Sequence, residues 1–590
     1  MTVKLTFEPM GKKIETSSNF ILEIARDANI TIRSDCGGKG LCGKCKIIII
    51  NGEVSEVNEI EREHLTLNEI RDGYRLACQV KATNGEITVF IPPESRIETR
   101  KVAESILETE AELNPSIRKV YLKLEKPTLK DTKPDFERLK SSLGEIETSL
   151  NILKRIPKFL RDANWDITAI LSYNKLIGVE KGDTTDRSYG IAIDIGSSKI
   201  ICQLIDLVTG KRLAEDYSEN PQVAYGEDII SRINYASKSD ENLKRLQKMA
   251  IDTINKILDN LCKEAGIEND EIYEAIVVGN SVMHHLFFGI YPGYVGRSPF
   301  VPAIRDMVNC QAKELGVKIN PEGYINSLPL IAGFIGADAL ADILVTRIHE
   351  KDGINMLIDI GTNTEIFIGN KNKILACSSP SGPAFEGAHI KHGMKAVKGA
   401  IEKIWFTKGV NYETIGKEKP KGICGSALID LVAELYRNDI INKRGKFTEK
   451  SEEDHAFIVV SADETETKKN ITVNEKDIDN LLVAKGAIKS AWTILMEKLG
   501  IEPSDISKVY VAGSFGRYID VENAKLIGLL PDIPTDQIIF AGDIAVTGAA
   551  MALKSIQKRI ESREILKLID YIELSAEKDF NKIFAKSIQL

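Results

Sequence analysis

"IAIDIGSSK", residues 191–199, reads as a strand of apolar residues that stops at an aspartate, a glycine and a run of short polar residues. An apolar run with little alternation is what a strand buried on both faces requires. "LIDIGTNTE", residues 357–365, repeats that plan, with Asp194 matching Asp359 and Gly196 matching Gly361. Each copy continues into a second strand, a turn and a third strand, through "IICQLIDLVTGKRLAEDY" in the first and "IFIGNKNKILACSS" in the second. One D-x-G turn is weak, but two with matching flanks read as an internal duplication. They predict two related α/β lobes facing a cleft.

The turn residues suit an anion. Gly196 and Gly361 let backbone N–H groups come close to phosphate oxygens, and Ser197, Ser198, Thr362, Asn363 and Thr364 add short donors. Lys199 adds a positive charge or is merely solvated; the sequence weighs the two readings equally. Asp194 and Asp359 are anions themselves, so their natural work is to hold Mg²⁺ and orient a water. Two more strand–glycine units occur: "EAIVVGNSVMHHLFFG" at 274–289 and "KVYVAGSFGRYI" at 508–519. In the second, Gly513, Ser514, Phe515 and Gly516 could lie flat under an adenosine. No Walker A sequence is present, so a P-loop reading fails. The set resembles the actin, sugar-kinase and heat-shock chaperone ATPases, in their two phosphate motifs and their adenosine motif. That resemblance implies ATP with Mg²⁺ in the cleft, and Asp194 and Asp359 as the catalytic pair.

The N-terminal region carries different chemistry. "DCGGKGLCGKC", residues 35–45, places cysteines as Cys36-x5-Cys42-x2-Cys45, and Cys78 stands alone further on. Thiolates are the ligands iron–sulfur clusters need, and the interleaved glycines let a loop wrap closely around one. Zinc is the weaker reading, because a zinc ribbon shows two close pairs. "VKLTF", "CKIIIING" and "EITVFIPP" read as strands and "NFILEIARDANI" as a helix with Ile21, Leu22, Ile24 and Ala25 on one face; "RLACQV" is a further strand candidate carrying Cys78. Residues 1–94 resemble the β-grasp [2Fe–2S] ferredoxins, with the adrenodoxin-like spacing. This implies a [2Fe–2S] cluster on Cys36, Cys42, Cys45 and Cys78.

The formal net charge of −8 argues against a general nucleic-acid binder. No apolar run reaches the length of a membrane span, and the N-terminus does not read as a signal peptide, so a cytoplasmic protein with no membrane partner is expected. "PPESRIETRKVAES" reads as a linker. The expected division is a ferredoxin-like domain at 1–94, a linker at 95–105, a small α+β middle domain at 106–186 and a duplicated actin-like ATPase domain at 187–590. The middle domain shows no catalytic motif; "VYLKLEKPTL" reads as a strand, "DFERLKSSLG" and "SLNILKRIPKFLRDA" as helices.

Together with "GPAFEG" and "GNSVMHHLF", this order of domains resembles the ATP-dependent reductive activators of corrinoid proteins. The resemblance implies one-electron reduction of Co(II) to Co(I) in a corrinoid protein of a methyltransferase system, with electrons from a low-potential donor, and a homodimer. A potential deficit of about 240 mV corresponds to roughly 5.6 kcal/mol, about what a nucleotide-driven two-state switch supplies. The rivals are a redox-sensing small-molecule kinase and a nucleotide-gated redox scaffold. His284-His285 reads as packing, because adjacent helical residues do not share a face. Cys202, Cys262, Cys310, Cys377 and Cys424 read as small buried residues. Glu365 reads either as a base for water or as a solvent-facing strand residue, and stays outside the catalytic pair. "IEKIWFTKGV" reads as core or edge strand.

Overall fold

The computed structural model describes all residues except 1, 9–11, 18, 29, 31, 35, 93–94, 96–106, 108–110, 227, 449–455 and 514–518. Most of the expected linker, and Ser514, Phe515 and Gly516 of the adenosine stretch, therefore lie outside the described residues.

The N-terminal domain is a five-stranded sheet in the order Lys12–Ser17, Thr2–Glu8, Ala82–Phe90, Lys46–Val54, Tyr74–Leu76. The strand Thr2–Glu8 runs parallel to Ala82–Phe90, and the other pairs are antiparallel. The helix Ile21–Asp27 buries Ile21, Leu22, Ile24 and Ala25 against Val3, Leu5 and Phe7. Each large apolar side chain so buried contributes about 1.5–3 kcal/mol. Glu61 and Arg75 form a buried bidentate pair at 2.9 and 2.7 Å. Glu61 Oε1 also accepts the Leu76 N–H at 3.0 Å. That carboxylate fixes the end of the strand Tyr74–Leu76, so Cys78 sits in the turn after it and not within a strand as expected.

The middle domain is a four-stranded sheet in the order Ile117–Lys123, Asp166–Ser172, Lys175–Lys181, Glu147–Thr148, with helices Asp135–Leu143 and Leu150–Asp162. It joins the body through Ser116 Oγ, which donates to Glu274 at 2.7 Å, and through the Asn114 N–H, which donates to Lys554 O at 2.8 Å.

The body holds two six-stranded sheets built on one plan. The first runs Arg212–Glu219, Lys199–Asp206, Tyr189–Ile195, Ile272–Gly279, Tyr324–Ser327, Asn309–Gln311. The second runs Ile538–Gly542, Ile506–Ala512, Ile354–Ile360, Thr364–Gly369, Ile374–Ser379, Ile569–Tyr571. In each, an antiparallel three-strand meander is followed by parallel strands beside its first member. The duplication reaches individual contacts. A Cβ on Gly279 would lie 2.8 Å from Ile195 O, and a Cβ on Gly513 would lie 2.5 Å from Ile360 O. Both glycines are needed because another backbone passes at that spot.

Between the lobes, helix Ala337–Thr346 crosses helix Ala545–Lys554 so closely that a Cβ on Gly548 would meet Ala341 O at 2.3 Å. Their side chains share one core with Ala192 and Ile201 of the first sheet and Leu357 and Phe367 of the second. The two hairpins are thereby held across a common cleft.

Candidate functional site: a cysteine loop and an acidic cleft

Gly37, Gly38, Gly40 and Gly43 all have φ between 64° and 94°, which turns the loop around the thiols. The four sulfurs fall into two neighbouring pairs, Cys36 with Cys42 and Cys45 with Cys78. Cys42, helped by backbone N–H groups of Leu41, Cys42 and Gly38, holds the Cys36 thiol down at about 4. Cys45 and Gln79 lower Cys78, and the Gln79 amide donates to its sulfur at 3.4 Å. Cys45 is pushed up by its partner Cys78 and by burial. Two thiol pairs ringed by N–H donors fit a cluster with two thiolates on each of two irons.

In the cleft, Gly196, Ser197, Ser198 and Lys199 face Gly361, Thr362 and Asn363, with Asp194 and Asp359 at the strand ends and Gly513 beside them. Neither Gly196 nor Gly361 has a positive φ. The need for glycine is closeness: a Cβ on Gly196 would meet Lys199 O at 2.9 Å. Thr364 turns away and bonds Ser381 Oγ at 2.9 Å. Asn280 caps helix Ser281–Phe288 and also donates to Ser197 Oγ at 3.1 Å, which explains "GNS" after that strand. Lys199 lines the cleft with its ammonium 5.4 Å from the Tyr217 ring centroid.

The sequence reading missed four acidic neighbours or gave them too little weight. Asp338 and Asp342 come from helix Ala337–Thr346, Asp543 follows the strand Ile538–Gly542, and Glu365 lies directly across the ladder from Asp359. Glu365 is buried and accepts from Ser378 Oγ at 3.2 Å, so its solvent-facing reading is wrong. The signal for Asp338 and Asp342 was their i, i+4 spacing in an otherwise apolar helix. Crowding shows in the acidities. Burial, then Asp338 and Asp543, push Asp359 up to about 7; burial pushes Asp338 to about 6. Asp194 is pushed well up by burial and by Asp338, Asp543 and Asp359. Such a set suits a divalent cation, which favours the ionised forms.

The bland readings hold elsewhere. His284 Nε2 bonds Ser327 Oγ at 3.1 Å, and His285 bonds Ser281 O at 2.6 Å and accepts the Ala303 N–H at 3.0 Å. Cys202, Cys262, Cys377 and Cys424 are buried and Cys310 half-buried. Among the described residues, no helix is long and apolar enough to cross a membrane.

Family models match the chain in order. Residues 7–83 match a 2Fe-2S iron-sulfur cluster binding domain, 106–186 the RACo linker region, 189–351 the RACo middle region and 353–590 the C-terminal ASKHA domain of RACo. A corrinoid activation enzyme, RamQ, of Eubacterium limosum is 31% identical over 98% of this chain and 97% of its own. The chain belongs to the RACo family. A solved structure of a reductive activator for corrinoid, iron-sulfur protein superposes with a TM-score of 0.74 at 35% identity, covering 100% of this chain and 98% of that one. A reductase of a Co(II) methylated amine-specific corrinoid protein in Methanosarcina barkeri is 24% identical over 67% of this chain and 76% of its own. This RACo-family chain thus carries an iron–sulfur domain and an actin-like ATPase body.

Proposed function

We propose that this chain reduces Co(II) to Co(I) in a corrinoid methyl-transfer protein, one electron at a time, and couples that transfer to ATP hydrolysis. The observation that carries the reading is the union, in one chain, of two neighbouring thiol pairs and two facing glycine hairpins lined by short hydroxyl side chains. The relatives that act on corrinoid proteins support it. A [2Fe–2S] cluster on Cys36, Cys42, Cys45 and Cys78 would supply the single electron. The other roles belong to the chain's own residues. Ser197, Ser198 and Lys199 bind phosphate oxygens from one side, and Thr362 and Asn363 bind them from the other. Asp194 and Asp359 would hold Mg²⁺ and orient the water that attacks the terminal phosphate. Gly513, with Ser514, Phe515 and Gly516, takes the adenosine.

The domain division at 94, 105 and 186, a low-potential electron donor and a homodimer belong to the same proposal. ATP turnover with and without a Co(II) corrinoid protein tests it. Hydrolysis stimulated by that protein is expected. Partner-independent phosphorylation of a small metabolite would point to the kinase reading instead.

A further inference from the structure

The cysteine loop and the acidic cleft lie on different domains, yet hydrogen bonds join them through both lobes. The N-terminal domain sits on the body by its cysteine-loop side. Arg26 stacks 5.0 Å from the Tyr225 ring centroid, and a Cβ on Gly37 would lie 3.2 Å from Tyr225 O. Lys39 Nζ donates to Ser231 Oγ at 3.3 Å in the first lobe, and Lys44 Nζ donates to Ile390 O at 2.7 Å in the second.

Both landing points lead back to the hairpins. In the first lobe, the Asn220 amide donates to Gly196 O at 2.8 Å. The fully buried Arg232 donates to Gly226 O at 2.8 Å and to Ser197 O at 2.5 Å. In the second, Ile390 ends the short "GPAFEGAHI" segment whose Glu386 reaches into the cleft. Glu386 Oε2 accepts from Ser198 Oγ at 3.1 Å, and Oε1 accepts from Thr362 Oγ1 at 3.0 Å. The segment between is closely packed. Gly387 N–H donates to Ala384 O at 3.0 Å, a Cβ on Gly387 would meet Met394 N at 2.5 Å, and Lys391 N–H donates to Asp477 Oδ1 at 2.7 Å.

Glu386 therefore takes one hydroxyl from each hairpin, and these are the hydroxyls assigned above to phosphate. A carboxylate and a phosphate cannot share them, because both are anionic acceptors. We propose that Glu386 is a clasp displaced by nucleotide phosphate. Held, it closes the two hairpins and keeps Ile390 O under Lys44. Displaced, it shifts residues 386–390 and loosens the seat of the cysteine-loop domain. The inference rests on the placement of ATP between the hairpins. It adds that nucleotide occupancy and domain seating are linked, and linkage is reciprocal: whatever unseats the domain tightens nucleotide binding by the same factor.

The test is the affinity of the full-length, cluster-loaded chain for Mg²⁺ and a non-hydrolysable ATP analogue, by calorimetry. Glu386→Gln keeps the shape and removes the charge; it should bind roughly 5- to 150-fold tighter. Lys44→Met should also tighten binding, by a smaller factor, and should add nothing in the Glu386→Gln background. Glu386→Ala, with cluster absorbance and thermal unfolding as checks on folding, should move the same way as Glu386→Gln. Equal or weaker binding by both Glu386 variants would overturn the clasp. Tighter binding there with no effect of Lys44→Met would overturn the link to the domain. Failure of the unaltered chain to bind the analogue would sink the ATP placement itself, a different outcome from either.

Discussion

The two hairpins share a frame and differ in charge. In the first, Asp194 is followed after the turn by Lys199 and the buried Ile200; in the second, Asp359 is followed by Thr364 and the buried Glu365. The duplicated backbone places both aspartates alike, but one copy offers a cation to phosphate and the other a second carboxylate beside its aspartate. The contrast suits a proposed division of labour, in which the first hairpin adds a cation for phosphate and the second, with Asp338, Asp342 and Asp543 near it, adds carboxylates for metal and water. The strands alongside also differ in charge, with the signs reversed. Glu274, paired to Tyr189–Ile195 at Gly190, is buried in a bidentate bond to Arg559 at 2.7 and 2.8 Å. Its counterpart Lys508, paired at Asn355, is exposed. One lobe uses that position to bind the helix Ile556–Leu568 and the middle domain; the other leaves it in water.

The largest effect should separate those two strand positions. Glu274→Ala leaves Arg559 buried and unpaired and should cost about 3–5 kcal/mol of stability in denaturant unfolding. Lys508→Ala should stay within about 0.5 kcal/mol. Similar losses at both sites would erase the contrast.

Next comes the acidic hairpin. Asp359→Ala should lower ATP turnover about 10²–10³-fold, the loss typical when a positioned electrostatic group is removed. Its fold should be retained by circular dichroism. The cationic hairpin should show a smaller effect of another kind: Lys199→Ala should raise the KM for ATP about tenfold with little change in kcat, as a lost charged hydrogen bond to bound substrate would. A kcat loss at Lys199 equal to that at Asp359 would break the division of labour.

The last effect is in pH dependence. Asp359 titrates near 7 in the fold because of burial and its acidic neighbours, and near the ordinary carboxylate value when unfolded. Between about pH 4 and 7 the folded form therefore holds a proton that the unfolded form has released, and this group's contribution to stability falls as pH rises. Asp359→Asn should gain stability relative to the unaltered chain across that window, by at most about 1.4 kcal/mol per pH unit. Thermal unfolding without nucleotide or Mg²⁺ measures it; a constant difference at all pH values would show that Asp359 is not crowded.

The parts of the site read from sequence were those made of contiguous residues. A strand that ends in D-x-G carries its own turn, so both hairpins and their correspondence were visible, as were the three close cysteines. The parts missed reach the site through tertiary packing. Asp338 and Asp342 belong to a helix that enters the cleft only because it crosses Ala545–Lys554 at Gly548. Arg232 looks like an ordinary residue of the helix Ile229–Ala236, and nothing local says that it is buried against Ser197 O. Glu386 sits in "GPAFEG", a stretch noted only for its resemblance, and its contact with both hairpins depends on the lobes facing each other. Cys78 was set in a strand because its neighbours are apolar; the Glu61–Arg75 pair ends that strand two residues earlier.

The measurement nearest the central claim is an anaerobic optical titration of a Co(II) corrinoid protein with this chain, a strong reductant and Mg²⁺·ATP. Conversion of the Co(II) spectrum to that of Co(I) should require ATP and the unaltered chain. It should fail with Cys78→Ala, which removes a proposed cluster ligand, and slow sharply with Asp359→Ala, which should cut hydrolysis. Equal conversion without ATP, or by the Cys78→Ala chain, would contradict the account.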